Sequence, residues 1–251
     1  MKSRILLLLV ALITVFSCKQ DAFLTRIEGE RLEINDSLTG SQEIEDFIAP
    51  YREHVNKGLD STLAYAVDTY TKNDGELNTA IGNFMADAVK EQSNTVFKSR
   101  TGNDIDIVML NHGGIRSIIS KGNVTARTAY QIMPFENSVV VTELNGKAVK
   151  SLVQYLVKAK RAHPISGLSI KVNSDFELVE SLVDGNEIDE DKIYYVATND
   201  YLYNGGDNMA FFRESDTLHI LDYKVRNTLI DYFVKVDTLD LKADNRFIKT
   251  N

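Results

Sequence analysis

A short apolar run, Ile105–Leu110, interrupted only by Asp106, ends at Asn111-His112-Gly113-Gly114. An apolar run of this length predicts a strand buried on both faces, and the paired glycines predict a turn directly after it. Residue spacing predicts further strands at 62–70, 138–144, 168–172, 176–179 and 193–198, and helices at 41–59, 77–96, 147–160 and 223–234. Strands and helices mix without regular βαβ alternation, so the expected fold class is α+β, a mixed β-sheet with packed helices.

The composition restricts the class of partner. The 251 residues are 43% hydrophobic, which is enough for one sizeable domain or two small ones. The formal net charge is −8 at pH 7, whereas binding to nucleic acid requires basic patches. We therefore expect no nucleic-acid partner, although a local cluster of donors could still bind a small anion.

The N-terminal segment resembles a bacterial lipoprotein signal. Lys2 and Arg4 precede an apolar stretch, Ile5–Phe16, which is shorter than the roughly 20 residues that a membrane-spanning helix needs. Cys18, the single cysteine, follows shortly after it. The pattern predicts lipidation of Cys18 and a membrane-anchored lipoprotein of a bacterial cell envelope, periplasmic or surface-exposed. An ordinary secretory peptide with an incidental cysteine is the alternative.

The expected domain organisation follows from this signal. Residues 1–17 are the signal peptide, residues 18–40 a tether with at most one strand, near 31–34, and residues 41–251 the folded domain. Pro50 is expected to kink or split the first helix of that domain, because proline lacks the amide hydrogen that the helix requires.

One glycine-containing loop and one aromatic turn carry side chains suited to a ligand. Gly113 and Gly114 let the backbone approach a ligand closely, and Arg116 offers a planar fork of donors for phosphate or carboxylate. Pro134 precedes Phe135, whose ring could stack on a base. Each feature has a simpler interpretation: an ordinary turn with a surface arginine, and a ring that fills the core.

A second glycine-containing loop, residues 199–207, reads Asn-Asp-Tyr-Leu-Tyr-Asn-Gly-Gly-Asp and follows another apolar strand. Tyr201 and Tyr203 could stack on a ligand, and the Asp207 carboxylate could accept hydrogen bonds from sugar hydroxyls or a base. The simpler alternative is a polar loop with two surface tyrosines.

The order of these motifs resembles the C-terminal domain of the 5′-nucleotidase family. Gly-Gly-x-Arg comes first, Pro-Phe second and Gly-Gly-Asp third, and the segment 81–88 resembles the family's Gly-Asn…Ala-Asp-Ala helix. The resemblance covers roughly residues 45–235. It implies the fold of that domain and a site that binds the nucleoside part of the substrate between two aromatic rings.

The resemblance also implies the substrate-binding residues, which we assign by motif. Phe135 and Tyr201 match the two stacking rings, and Asp207 matches the acidic contact to the ribose. Asn111 and Arg116 match polar contacts to the ligand.

Two further residues, Asn137 and Gly167, match weaker positions of the family. This sequence departs from the family's motifs at three places, and these departures bear on contact with a phosphate and on which ligand is bound. The stretch 74–78 lacks an arginine that many members carry, His112 stands where glycine is frequent, and Asn208 replaces the third glycine of the second loop.

The resemblance bears on catalysis as well. Family enzymes hydrolyse phosphate esters with two divalent metals, held in a separate N-terminal domain. The four histidines, at 54, 112, 163 and 219, lie in none of that domain's Asp-x-His, Gly-Asn-His or His-x-His motifs. We assign no catalytic or metal-binding residue and expect no cofactor in this chain.

Divalent metals are instead expected in a separate metallophosphoesterase partner. This chain would then be one half of a split 5′-nucleotidase and would recognise the nucleotide that the partner hydrolyses. Two alternatives remain open. One is a stand-alone lipoprotein that binds nucleosides or nucleotides without catalysis, and the other is a single-chain hydrolase whose site the sequence does not reveal.

Overall fold

A computed structural model describes residues 24, 26–215 and 217–250 of the 251-residue chain. The chain divides into two units, Met1–Ile48 and Ala49–Asn251. In the first unit, the described residues up to 40 contain no helix or strand, so the strand allowed near 31–34 does not form. The predicted signal peptide and Cys18 lie outside the described residues.

The helices are α1 (Gln42–Asp60), α2 (Ala80–Thr101), α3 (Ala126–Ile132), α4 (Gly146–Ala159), α5 (Asp200–Tyr203) and α6 (Val225–Lys235). The strands are β1 (Thr62–Ala66), β2 (Ile107–Met109), β3 (Gly122–Thr125), β4 (Ser138–Asn145), β5 (Ile165–Ser166), β6 (Leu168–Val172), β7 (Leu178–Val183), β8 (Asn186–Glu187), β9 (Ile193–Asn199), β10 (Leu218–Lys224), β11 (Thr238–Leu239) and β12 (Phe247–Lys249). Short 3₁₀ turns at His112–Gly114, Gly206–Asn208 and Ala210–Arg213 complete the described elements. Within the described residues, no helix is both long enough and apolar enough to cross a membrane.

A five-stranded sheet, in the order β10-β4-β9-β2-β5, lies at the centre of the second unit. Strand β2 runs parallel to β9, and the other neighbouring pairs run antiparallel. The sheet is therefore mixed, which confirms the predicted α+β class. Two smaller sheets have the orders β11-β1-β3 and β12-β6-β7-β8.

Both faces of the central sheet are covered by apolar side chains. Val108 and Leu110 belong to the core that contains the buried residues of α2 and α6, whereas Ile107 and Met109 belong to the core that contains those of α4. All four side chains are at most 2% exposed. The alternation confirms that the apolar run forms a strand buried on both faces, since successive residues of a strand point to opposite sides.

Side-chain caps determine where the two core helices begin. The Thr79 hydroxyl accepts a hydrogen bond from the Gly82 amide at 3.2 Å, so α2 begins three residues later than its apolar spacing predicted. The Asn145 side chain accepts one from the Ala148 amide at 2.9 Å at the start of α4. At the other end of α2, Gly102 ends the helix with a φ of +80°, a conformation that glycine adopts without strain.

Pro50 does not split the first helix, because α1 continues through it. Proline removes one hydrogen bond to the carbonyl of residue 46. That residue is exposed, so its carbonyl is accessible to water and the lost bond leaves no buried polar group unpaired.

Several elements were not predicted, namely β3, α3, β5, β8, α5, β10, β11 and β12. Strand β10 is an edge strand of the central sheet and has one buried residue, Leu221, between two exposed ones. Helix α3 has seven residues, which is too short for a helical repeat to stand out in the sequence.

Candidate functional site

A cleft with a volume of about 690 Å³ lies where several strands of the central sheet begin or end. Asn111 comes shortly after β2, Asn199 is the last residue of β9, and Asn137 directly precedes β4. Because β2 runs parallel and β4 antiparallel to β9, the ends of β2 and β9 and the beginning of β4 lie side by side at the cleft.

Six of the seven site residues predicted from the sequence line this cleft. They are Asn111, Arg116, Phe135, Asn137, Tyr201 and Asp207. The remainder of the lining comes from Gly113, Gly114, Met133, Glu136 and Asn199. The fold therefore brings all three predicted motifs to one place.

The Asp207 carboxylate joins the two glycine-containing loops. The Asn111 side-chain amide donates a hydrogen bond to one carboxylate oxygen at 2.7 Å, and the Tyr201 hydroxyl donates to the other at 3.0 Å. The bond to the carboxylate raises the pKa of the Tyr201 hydroxyl. Each carboxylate oxygen can accept a further hydrogen bond, so Asp207 can still bind hydroxyl or N–H donors of a ligand.

The backbone around Asp207 is left-handed over two residues, with φ of +51° at Asp207 and +60° at Asn208. Aspartate and asparagine adopt this conformation more readily than other residues with a side chain. This explains how Asn208 can stand where the motif that this loop resembles has a third glycine. The Tyr155 hydroxyl donates to the Asp207 carbonyl at 3.0 Å and supports the conformation from helix α4.

Two glycines of the motifs allow this close packing. A Cβ at Gly114 would lie 2.8 Å from the Asn111 side-chain oxygen, and one at Gly206 would lie 2.5 Å from two ring carbons of Tyr201. Neither position can carry a side chain unless its neighbour moves. The glycines thus place Asn111 and Tyr201, in addition to forming turns.

The two predicted stacking rings are accessible. The side chain of Phe135 is 42% exposed and that of Tyr201 is 48% exposed. The interpretation of Phe135 as a core residue is therefore wrong. The Arg116 guanidinium carbon lies 5.8 Å from the centre of the Phe135 ring, and one guanidinium N–H donates to the Gly113 carbonyl at 3.4 Å. Arg116 thus flanks the ring with a positive charge.

Asn137 and Asn199 hold the start of helix α5. The Asn137 amide donates to an Asp200 carboxylate oxygen at 2.9 Å, and the Asn199 side chain accepts from the Leu202 amide at 2.9 Å. Both asparagines line the cleft. They fix the orientation of the helix that carries Tyr201.

Gly167 does not line the cleft. It lies between β5 and β6 with a φ of +74°, and a Cβ there would come within 1.9 Å of the Asp106 carbonyl oxygen. This contact with the chain before β2 accounts for a glycine at that position without any ligand.

Some lining residues had no role assigned from the sequence. Glu136 and Asn199 lie within the predicted motifs, so their position beside the assigned residues could have identified them as lining residues. Met133 caps the unpredicted helix α3. Tyr155, which does not line the cleft but bonds to the Asp207 carbonyl, lies on α4 outside every motif. A pattern of apolar spacing could not single out either of them.

Two histidines support the first glycine-containing loop: His112 belongs to the loop, and His163 packs against it. His163 is 7% exposed, and burial lowers its pKa to about 4. Its Nδ1 lies 3.3 Å from the His112 amide, which donates to it, and the His112 Nδ1 lies 3.0 Å from the Ala162 carbonyl. Burial also lowers the pKa of His112. Both imidazoles are therefore neutral at pH 7 and support the loop that carries Asn111.

The chemistry of the lining fits a flat, partly apolar ligand with hydroxyl or N–H donors. Its two carboxylates already have partners: Asp207 accepts from Asn111 and Tyr201, and Glu136 accepts from Arg226 at 2.5 Å, a bond that lowers the pKa of the Glu136 carboxyl. Within the part of the chain that the structure describes, no three His, Cys, Asp or Glu side chains come together as metal ligands would.

Comparison with known proteins assigns the chain to a family. The family model described as 5′-nucleotidase, C-terminal domain matches residues 59–214, which is more than half of the chain. The fold matches the crystal structure of a 5′-nucleotidase precursor from Thermus thermophilus with a TM-score of 0.69 and 21% identity, covering 82% of this chain and 43% of that one.

Curated relatives match over shorter parts of their length. The Listeria monocytogenes cell wall protein Lmo0130 is 29% identical over 167 residues, which are 61% of this chain and 20% of the relative. The Bacillus subtilis trifunctional nucleotide phosphoesterase YfkN is 26% identical over 209 residues, 73% of this chain and 13% of the relative. This chain thus spans a minor part of the relatives it matches. On the strength of the family match, the chain belongs to the 5′-nucleotidase C-terminal domain family.

Proposed function

We propose that this chain binds the nucleoside part of a nucleotide in the cleft, with the base between Phe135 and Tyr201. The observation that carries the proposal is the presence of two exposed rings in the same cleft as the Asp207 carboxylate. Stacking of a base on an aromatic ring is worth about 1–3 kcal/mol. The carboxylate can accept hydrogen bonds from vicinal ribose hydroxyls, and Arg116 offers donors to an anionic substituent.

Calorimetric titration with adenosine and AMP tests this binding mode. Phe135→Ala and Tyr201→Ala should each weaken binding by roughly 5- to 150-fold, the loss that corresponds to one base stack. Tyr65→Ala is the matched control, because Tyr65 is 45% exposed on β1 and does not line the cleft. Unchanged affinity in both ring variants would refute the stacking model.

We further propose that hydrolysis of the phosphate ester is carried out by a separate metallophosphoesterase, to which this chain presents its substrate. Two-metal hydrolysis requires a cluster of ligands around metals about 3.5–4 Å apart. The cleft instead offers two carboxylates that are engaged with Asn111, Tyr201 and Arg226. The name of the YfkN relative, a nucleotide phosphoesterase, supports a role in nucleotide breakdown.

Reconstitution tests this division of labour. The tagged chain is used to retrieve proteins from the envelope of its source cells, and AMP hydrolysis by the retrieved phosphoesterase is measured with and without the chain. Addition of the wild-type chain should raise kcat/KM for AMP, and Phe135→Ala should lose that gain while Tyr65→Ala keeps it. Tight binding of adenosine without a retrievable phosphoesterase would support the alternative, a binding lipoprotein without catalysis.

We also propose an extracytoplasmic location with a lipid anchor at Cys18. The lipoprotein-like signal at residues 1–17 and the cell wall protein of Listeria among the relatives support it. In cells, Cys18→Ser should move the chain from the membrane fraction to the soluble envelope fraction. Equal membrane retention of the variant and the wild type would exclude lipidation of Cys18 as the anchor.

A further inference from the structure

The turn that carries Phe135 is held by residues at the start of α6. The Lys224 ammonium donates to the Glu136 carbonyl at 2.6 Å, and the Val225 amide donates to the Asn137 carbonyl at 3.0 Å. Arg226 makes two bonds to the same turn, from one guanidinium nitrogen to the Phe135 carbonyl at 3.3 Å and from the other to the Glu136 carboxylate at 2.5 Å.

Arg226 is unusual because it is buried. The residue is 5% exposed, and its guanidinium carbon lies 3.9 Å from the centre of the Tyr130 ring on α3. A buried charge is strongly unfavourable unless it is paired and hydrogen-bonded. The ring of Tyr130 and the two bonds to the turn stabilise the outer guanidinium nitrogens, whereas the buried Nε has no partner among the described residues. Since only this position pairs the buried charge, the guanidinium also holds the turn in place.

The Phe135 backbone depends on this arginine in particular. Among the described residues, no other hydrogen bond reaches its amide or carbonyl. Phe135 also lies outside the helices and strands, so no sheet or helix fixes it. The accessible ring therefore takes its place from the carbonyl bond of Arg226 and from the bonds that Arg226 and Lys224 make to the adjacent Glu136.

We propose that Arg226 is a positioning residue for ligand binding, which holds the Phe135 ring in the orientation needed for stacking. The inference rests on the proposed function, because its consequence for affinity requires a ligand that stacks on Phe135. The planar fork of arginine can stack on Tyr130 and bond to two acceptors at once. A lysine at this position keeps the charge but cannot make this arrangement.

A double-mutant cycle on the purified chain tests the proposal, with adenosine as the ligand. Arg226→Met should weaken binding by about fivefold or more, up to the loss caused by Phe135→Ala. The double variant Arg226→Met/Phe135→Ala should bind no more weakly than Phe135→Ala, since both changes act on one ring. Arg226→Lys should fail to restore wild-type affinity. Independent, additive losses would overturn the proposal.

Two further variants separate positioning from general stability. Arg127→Met is the matched control, because Arg127 lies on α3 and has a carboxylate partner, Asp60 at 2.5 Å, but does not line the cleft. It should lower stability without changing affinity. If Arg226→Met does not fold, Tyr130→Leu removes the ring beneath the guanidinium and should weaken adenosine binding in the same direction. Unchanged affinity in folded Tyr130→Leu would then overturn the proposal.

A ligand-free measurement keeps this inference distinct from the proposed function. A fluorinated phenylalanine at position 135 should give one sharp ¹⁹F resonance in the wild-type background, and a shifted or broadened one with Arg226→Met. If the wild type binds no adenosine, the proposed function fails, and the ¹⁹F resonance decides on positioning by itself. An identical resonance in both backgrounds would show that Arg226 does not place the ring.

Discussion

Substitution of Gly206 by alanine isolates the role of close packing in the cleft. The added Cβ would lie 2.5 Å from the Cε1 and Cζ atoms of Tyr201 and 2.7 Å from Cδ1, so the ring must move. Movement of the ring breaks the 3.0 Å hydrogen bond from its hydroxyl to Asp207. The backbone of Gly206 is not in the left-handed region, so alanine adds no conformational strain and its effect comes from the contact alone.

The expected magnitude follows from what the ring contributes. Loss of one base stack costs about 1–3 kcal/mol, which corresponds to roughly 5- to 150-fold in the Kd for adenosine. Global stability should change little, because a single exposed hydrogen bond contributes about 0.5–1.5 kcal/mol. The substitution thus separates affinity from folding.

Calorimetry with adenosine and urea unfolding measure the two quantities. Gly58→Ala is the control, since Gly58 lies in α1 and a Cβ there meets nothing within 4 Å. In addition, the pKa of the Tyr201 hydroxyl, followed by NMR of labelled tyrosine, should fall in Gly206→Ala because the bond to Asp207 that raises it is lost. Wild-type affinity together with an unchanged Tyr201 pKa would refute the packing argument.

Three further substitutions test the framework behind the site, each by urea unfolding. Burial holds the pKa of His163 at about 4, below its value of 6.5 in the unfolded chain. The stability that the neutral imidazole contributes is therefore complete above pH 6.5 and is lost as the pH falls towards 4, by roughly 2 kcal/mol between pH 7 and 5. His163→Gln should lack this part of the pH dependence. Arg246→Met should cost roughly 2 kcal/mol, because Arg246 is bonded to Asp87 at 2.9 Å and to the Ile165 carbonyl at 2.7 Å; a loss below half of that would show that the C-terminal strand is held without it. Thr79→Ala should cost about 1 kcal/mol through loss of the α2 cap, and an unchanged unfolding midpoint would contradict the assigned cap.

Prediction from the sequence succeeded where the information is local. The apolar run at 105–110 predicted a strand buried on both faces, and the apolar spacing of α2 and α4 predicted both helices to within a few residues. It failed for the short elements β11, β12 and α3, whose few residues show no strong period, and for the seven-residue edge strand β10. Of the two effects expected at Pro50, a kink or a split, the split does not occur, because an exposed helix tolerates one missing hydrogen bond.

For the site, the motifs identified the side chains and the fold decided their partners. The sequence by itself determined where the buried strands end in turns, because strand and turn formation depends on neighbouring residues. For that reason Asn111, Phe135, Tyr201 and Asp207 could all be named from their motifs. Only the tertiary structure decided that Asn111 would bond to Asp207, 96 residues away, and that Arg226 would hold the aromatic turn, 91 residues away. The physical reason is that such contacts depend on which strands lie side by side, and that order is set by packing of the whole sheet and its two helical layers.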